Sequence, residues 1–174
     1  MDKIKELIRT IPNFPKPGIE FRDLTTLFLH GDGFKLVIDA LADTYKSQHV
    51  DLIAGVESRG FILAAPLAYR LTKGFVLIRK PGKLPGKTVG IEYSLEYGKD
   101  RLEIHSDAVP KGARVLIVDD LLATGGTMAA ACQLVEQVGG HIAGCAFVVE
   151  LPDLKGRDRL SKYPLHRLVD FGGH

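Results

Sequence analysis

The stretch with the clearest chemistry is Val115-Leu116-Ile117-Val118-Asp119-Asp120-Leu121-Leu122-Ala123-Thr124-Gly125-Gly126-Thr127. Apolar, strand-forming residues run into two adjacent carboxylates. A Thr-Gly-Gly-Thr turn then leads into Met128–Val138, whose apolar spacing predicts a helix. In open parallel sheets, ligands sit where the carboxyl ends of strands hand over to helices. Gly125 and Gly126 let consecutive amide N–H groups converge without side-chain obstruction. Those amides, the hydroxyls of Thr124 and Thr127 and the positive end of the next helix make a cradle for a phosphate dianion. A phosphate repels carboxylates, so Asp119 and Asp120 need another partner. Both can accept hydrogen bonds from neutral hydroxyls, and a phosphate attached to a diol is a sugar phosphate such as ribose 5-phosphate. The Asp-Asp pair alone also fits a solvated strand end before a helix cap. The whole order of strand, acids, spacer, turn and helix favours the ligand.

Other residues can serve the same site. Glu57-Ser58-Arg59-Gly60-Phe61 follows a second apolar run, Leu52–Val56. Arg59 offers a planar fork of donors to phosphate oxygens, and Gly60 permits close backbone approach. An ordinary helix start with an exposed Arg is the alternative. The basic run Arg79-Lys80-Pro81-Gly82-Lys83 can reach the same anion. Cations aimed at a leaving group whose charge grows stabilise the transition state more than the ground state; solvated loop lysines are the plainer reading. Glu96 lies between Leu95 and Tyr97. Burial there would raise its pKa toward proton-exchange chemistry, whereas a solvent-facing strand glutamate does nothing. Tyr97 either walls the site or packs.

These residues need a scaffold, and the apolar pattern supplies one. Residues 3–9 read as a short helix ended by Ile11-Pro12. Residues 13–32 read as an irregular Pro/Gly-rich arm, with Phe14-Pro15-Lys16-Pro17-Gly18 too rigid and donor-poor for regular structure. Residues 34–47 read as a helix with Phe34, Val37, Ile38 and Leu41 on one face. Leu52–Val56, Phe75–Ile78, Val115–Val118 and Ala143–Val149 resemble buried parallel strands, with helical segments near 60–72 and 126–138. This is the alternation of an α/β domain. From Pro81 to Asp100 the chain is flexible and basic at first, then alternates over Val89–Tyr97 like a half-exposed hairpin strand. A polar insertion of this length suggests a functional lid.

Composition narrows the function classes. The chain has 174 residues, 45% hydrophobic and 25% charged, which suits one globular domain spanning 1–174. Its formal charge of +2 argues against nucleic acid or a membrane surface. The positive field is local: Lys73, Arg79, Lys80, Lys83, Lys87, Lys99 and Arg101 lie within thirty residues. Cys132 and Cys145 stand in apolar surroundings without CxxC spacing, as small buried hydrophobes of a reducing compartment. The N-terminal residues alternate in charge and do not read as a signal peptide. No stretch approaches the roughly 20 apolar residues of a membrane span. A cytoplasmic protein is the expectation.

The segment Val115–Thr127 resembles the signature of type I phosphoribosyltransferases, which bind phosphoribosyl pyrophosphate (PRPP). The likeness runs from Pro15-Lys16-Pro17-Gly18-Ile19 to Leu154-Lys155-Gly156-Arg157. Pro17–Asp23, Glu57–Phe61 and Tyr93-Ser94-Leu95-Glu96-Tyr97-Gly98-Lys99 are similar to the adenine-using branch of that family. The resemblance implies a central, mainly parallel sheet flanked by helices, an N-terminal arm (1–33) contributing to the base site and a flexible catalytic lid (80–100). It implies AMP and pyrophosphate as products, Mg²⁺ held mainly through PRPP oxygens and water, and a homodimer. It assigns the 5-phosphate to Ala123, Thr124, Gly125, Gly126 and Thr127, and the ribose to Asp119 and Asp120. The pyrophosphate falls to Ser58 and Arg59, often with a strained peptide beside Ser58, and to Lys83; Arg79 can reach across the dimer. Glu96 becomes the catalytic carboxylate, with Arg59 and Lys83 supporting the leaving group. Adenine falls to Ile19, Glu20, Phe21 and Arg22, read mainly through the backbone, and to the apolar face of Leu151. Many relatives carry an apolar residue at the position of Glu20, so side-chain contacts there stay open.

Three other readings compete. Gly82-Lys83-Leu84-Pro85-Gly86-Lys87-Thr88 resembles a Walker motif, but only three residues separate its glycines and a strand pattern follows instead of a helix. A PRPP-sensing regulator without catalysis would need a nucleic-acid-binding module, and neither a helix-turn-helix extension nor a strong positive charge is present. A phosphoribosyltransferase for a 6-oxopurine would need a donor where adenine needs an acceptor.

Overall fold

The structure is a computed structural model in which residues 1–95 and 98–172 are described. From the N-terminus it runs through helix α1 (Asp2–Glu6), strands β1 (Arg9–Pro12) and β2 (Glu20–Asp23), and helices α2 (Thr25–Leu29) and α3 (Gly31–Tyr45). Strand β3 (Leu52–Val56), helix α4 (Arg59–Leu71) and strand β4 (Gly74–Ile78) follow. Strands β5 (Thr88–Leu95) and β6 (Gly98–His105) precede β7 (Arg114–Leu122), α5 (Gly126–Gln137) and β8 (His141–Glu150). A 3-10 turn at Pro152–Leu154, helix α6 (Gly156–Arg159) and β9 (Leu165–Asp170) complete the order.

Among the described residues the central sheet has five parallel strands in the order β4-β3-β7-β8-β9. Its strands are apolar along their length because both faces are covered. On one face Ile53, Leu116 and Val148 pack with Val37 and Leu41 of α3 and Leu63 and Leu67 of α4. On the other, Val56, Ile117 and Phe147 pack with Met128, Leu134 and Val135 of α5 and Leu102 and Ile104 of β6. Cys132 and Cys145 are buried thiols in this second core, their sulfurs 3.5 Å apart. No helix among the described residues is long and apolar enough to cross a membrane.

The structure corrects the sequence reading in four places. A fifth strand, β9, escapes a search for apolar runs because His166 and Arg167 interrupt Leu165–Asp170 at the sheet edge. Strand β7 extends through Leu122, so Asp119 and Asp120 lie within it, with Asp119 opposite Phe147 on β8. The arm is not irregular: Arg9–Pro12 pairs antiparallel with Glu20–Asp23 where a helix over 3–9 and a structureless 13–32 are expected. Helix α3 starts at Gly31 instead of 34 because the His30 ring accepts a hydrogen bond from the Gly33 amide, 3.1 Å away, and caps it.

The alternating segment is half of a hairpin. Thr88–Leu95 pairs with Gly98–His105 from Thr88↔His105 to Leu95↔Gly98. Val89, Ile91 and Tyr93 pack against the second core, and an isolated bridge between Arg79 and Glu103 ties the hairpin to the end of β4.

Candidate active site

The carboxyl ends of β3, β4 and β7 meet the β5–β6 hairpin around a cavity of about 410 Å³. Ser58 and Arg59 reach it from the end of β3, Lys80 from the end of β4, and Asp119, Asp120, Ala123, Gly125 and Thr127 from β7 and its turn. Thr124 and Gly126 belong to the same turn but are not part of the lining. The turn requires glycine. Gly125 has φ +82°, and a Cβ there would lie 2.6 Å from the carbonyl oxygen of Gly156. Gly60 likewise lets α4 settle on β7, since its Cβ would meet the Val118 carbonyl at 2.8 Å. Helix α5 begins at Gly126 with no acidic residue in its first turn, so its positive end stays uncompensated beside the cavity. The Glu57–Ser58 peptide bond is cis.

The lining is acidic for an anion site. Glu57, Asp100, Asp119 and Asp120 stand against Arg59 and Lys80. Each acid is engaged internally. Arg59 Nε lies 2.7 Å from Asp120 Oδ2. Asp119 Oδ1 accepts from the Asp120 amide at 2.9 Å. Glu57 Oε2 accepts from the Lys80 amide at 2.8 Å and from Arg79 Nε at 3.2 Å. Asp100 Oδ2 pairs with Lys80 Nζ and accepts from the Tyr93 hydroxyl at 3.2 Å. Asp119 keeps some solvent contact but is hemmed in by protein atoms. That burial, reinforced by the Asp120 charge, raises its carboxyl well above the usual range.

A second cavity of about 460 Å³ lies on the side of the arm, walled by Ile11, Phe14, Phe21, Leu24 and Phe28. Phe14 and Phe21 meet edge to face at 5.3 Å. The two cavities share Arg59 and Asp120, so this ion pair stands where they meet. On β2, Phe21 faces the aromatic cavity, while the Arg22 guanidinium bonds Glu20 at 2.8 Å and Thr10, and stacks on Phe171 at 4.4 Å. Glu20 and Arg22 lie two residues apart on β2, in a ribbon that is only two strands wide among the described residues.

Several expected residues lie outside both linings. Ile19 is exposed, and Leu151 is half-buried against the first core. Lys83 is exposed, its carbonyl accepting from Arg79 Nη1 at 3.3 Å, and Arg79 is held by Glu57 of its own chain. Glu96 and Tyr97 fall outside the described residues.

A family model described as the phosphoribosyl transferase domain matches residues 24–171. The chain belongs to the phosphoribosyltransferase family. Within that family it is 59% identical over 168 residues to the adenine phosphoribosyltransferase of Chloroflexus aurantiacus, covering 97% of each chain. Among solved structures, the adenine phosphoribosyltransferase of Thermoanaerobacter pseudethanolicus superposes with a TM-score of 0.95 at 52% identity, covering 98% of this chain and 99% of that one. The enzyme of Saccharomyces cerevisiae, in complex with an imino-altritol bisphosphate and adenine, gives 0.91 at 43% identity, covering 96% and 97%. As in other members of the family, the central sheet is parallel and flanked by helices.

Sequence reasoning did not single out Tyr93, Asp100 or Glu57 as cavity residues, and it named Lys80 only within a basic run. Asp100 could have been found by folding the alternating segment back on itself, which sets it opposite Tyr93.

Proposed function

We propose that the protein transfers the 5-phosphoribosyl group of PRPP to N9 of adenine, giving AMP and pyrophosphate. The observation that carries this reading is the meeting of the two cavities at Arg59 and Asp120: a glycine turn with two acids on one side, and a chamber walled in part by Phe14, Phe21 and Phe28 on the other. In this reading the 5-phosphate lies on residues 123–127, and the ribose hydroxyls donate to Asp119 and Asp120. The pyrophosphate lies near Ser58, Arg59 and Lys80, with Lys83 joining when residues 80–100 close as a lid. Closure would exclude water, which otherwise intercepts the oxocarbenium-like ribose. Adenine stacks on Phe21 and presents its edge to main-chain groups of residues 19–22, with Leu151 on its other face. N9 attacks C1′ opposite the leaving group, the C1′–O electron pair departs with pyrophosphate, and Glu96 takes the purine proton. Glu96→Gln should lower kcat more than PRPP affinity; an unchanged kcat removes it from the chemistry.

The four acids and two cations of the lining fit an anion that arrives with a divalent ion. The acids of the lining are already bonded to Arg59, Arg79, Lys80 and backbone amides, which suits Mg²⁺ carried on substrate oxygens and waters. When bound, Mg²⁺ offsets the charge of the pyrophosphate. The reading includes a homodimer in which Arg79 leaves Glu57 for the neighbouring site. Mixing Arg79→Ala subunits with inactive ones tests that exchange.

The deciding experiment incubates purified protein with PRPP, Mg²⁺ and each purine base, then identifies the nucleotide formed. AMP from adenine is expected. A nucleotide formed from hypoxanthine, guanine or xanthine in preference, or no nucleotide at all, overturns the reading.

A further inference from the structure

Asp100, like Glu57, is a cavity acid that neither the phosphate turn nor the Asp119–Asp120 pair accounts for. It is paired across the hairpin with Tyr93, and its Oδ2 accepts from the Tyr93 hydroxyl at 3.2 Å while pairing with Lys80 Nζ. Its Oδ1 accepts from the Arg101 amide at 2.8 Å. The Tyr93 hydroxyl in turn accepts from Thr127 Oγ1 at 3.4 Å, so the chain of donors begins on the phosphate turn. Lys80, Tyr93, Asp100 and Thr127 all line the same cavity. The Lys80–Asp100 pair is only partly shielded, with the two side chains 39% and 25% exposed, so an incoming anion can reach it.

We propose that Asp100 is a displaceable counter-anion that occupies Lys80 until pyrophosphate takes its place, and so limits how tightly the site holds pyrophosphate. This rests on the reading of the cavity as a PRPP site. An ammonium at a cavity wall without an anion would either swing into solvent or grip the leaving group as strongly as it could. Asp100 prevents both. It keeps Lys80 in the lining, and it sets the net gain of Lys80 on pyrophosphate to the difference between two ion pairs. When pyrophosphate captures Lys80, the carboxylate is not stranded, because the Tyr93 hydroxyl and the Arg101 amide still donate to it. The exchange therefore costs little desolvation. When pyrophosphate leaves, Asp100 reclaims the lysine. Asp100 is a positioning residue that acts through Lys80, and its effect should fall on product affinity.

The test measures pyrophosphate inhibition of AMP formation in wild type, Asp100→Asn, Lys80→Gln and the double variant. Asp100→Asn removes one negative charge beside an anion site and should lower the inhibition constant about threefold or more. The KM for PRPP should fall with it, the KM for adenine should stay unchanged, and kcat should not rise. In the Lys80→Gln background, adding Asp100→Asn should give a smaller gain, because the lysine through which Asp100 acts is gone. Asp100→Ser reads the same quantities if the asparagine variant is unstable. An unchanged or weaker pyrophosphate inhibition in the Asp100 variants, or an equal gain with and without Lys80, overturns the proposal. A wild type that forms no AMP from adenine and PRPP defeats the underlying reading instead, so the two failures are distinguishable.

Discussion

On the side of the cleft that holds the glycine turn, polar side chains stand at the ends of buried parallel strands and line the cavity. On the aromatic side, Arg22 and Asp23 of β2 border the cavity but are bonded to partners within the protein. Asp119, Asp120, Arg59 and Thr127 all line the first cavity, whereas Glu20 and the Arg22 guanidinium are spent on each other, on Thr10 and on Phe171. One half therefore offers chemistry coded in residue type. The other offers an apolar wall and a strand edge, for which many sequences would serve. The difference follows from the ligands each half is proposed to take. A phosphate and a diol need charges and hydroxyl acceptors in fixed places, while a flat base needs a stacking surface and a donor–acceptor pair that any backbone carries.

The largest effect is expected where side chains carry the function. Replacing both Asp119 and Asp120 by Asn should lower kcat/KM for PRPP about a hundredfold or more, since two charge-assisted hydrogen bonds are lost. Wild-type kinetics would remove the acids from the ribose site. Asp119→Asn alone should not cost stability at neutral pH. Its raised pKa means the folded state binds a proton more readily than the unfolded chain. Whatever stability Asp119 contributes is present below the unfolded value and is lost as pH rises through the folded one. At pH 7 the charge opposes folding, so a raised Tm is expected, fading toward acid pH. A lowered Tm at pH 7 would contradict the burial assigned to this group.

Next in size is the turn itself. Gly125→Ala puts a side chain on a residue with φ +82° and within 2.6 Å of the Gly156 carbonyl. The backbone must move, and a cost of about 1–3 kcal/mol is expected for such a conformation. The KM for PRPP should rise about tenfold, by the same free energy. An unchanged KM would mean that the turn tolerates movement and does not set the phosphate geometry.

The same division explains what the sequence disclosed. Strand β3 and helices α4 and α5 were legible within one residue or so at each end, because long apolar runs and glycine punctuation mark them. Ser58, Arg59, Asp119, Asp120 and the turn were legible as a candidate site because of their order after apolar strands, since the residue types alone also fit solvated strand ends. The ribbon β1–β2 was not legible: Pro12 and the run from Phe14 to Gly18 suggest irregular chain, and the pairing of Arg9–Pro12 with Glu20–Asp23 is a tertiary fact. Asp23 shows how the ribbon is secured without any local pattern. Bonds from Thr25 and Arg9 hold its pKa at about 2. The pairing of Lys80 with Asp100 escaped for another reason. Twenty residues apart, they become partners only when the hairpin folds back over the end of β4.

Two smaller effects sharpen the comparison on the aromatic side. Phe21→Ala removes the ring that walls the second cavity and packs on Phe14. It should raise the KM for adenine about three- to tenfold, in line with the loss of one aromatic contact, with little change for PRPP. Glu20→Ala should do almost nothing to either substrate. Its carboxylate is half exposed and bonded to the buried Arg22 guanidinium, so the loss of this one partner should cost about 1 kcal/mol of stability. The Arg22 guanidinium keeps Thr10 and Phe171 when Glu20 is lost, so the strand edge should hold its place. An adenine KM within about twofold of wild type is therefore expected. A tenfold rise would mean that the Glu20 carboxylate reaches the base, and the contrast between a side-chain-coded half and a backbone-coded half would fail at the position where it is most exposed to test.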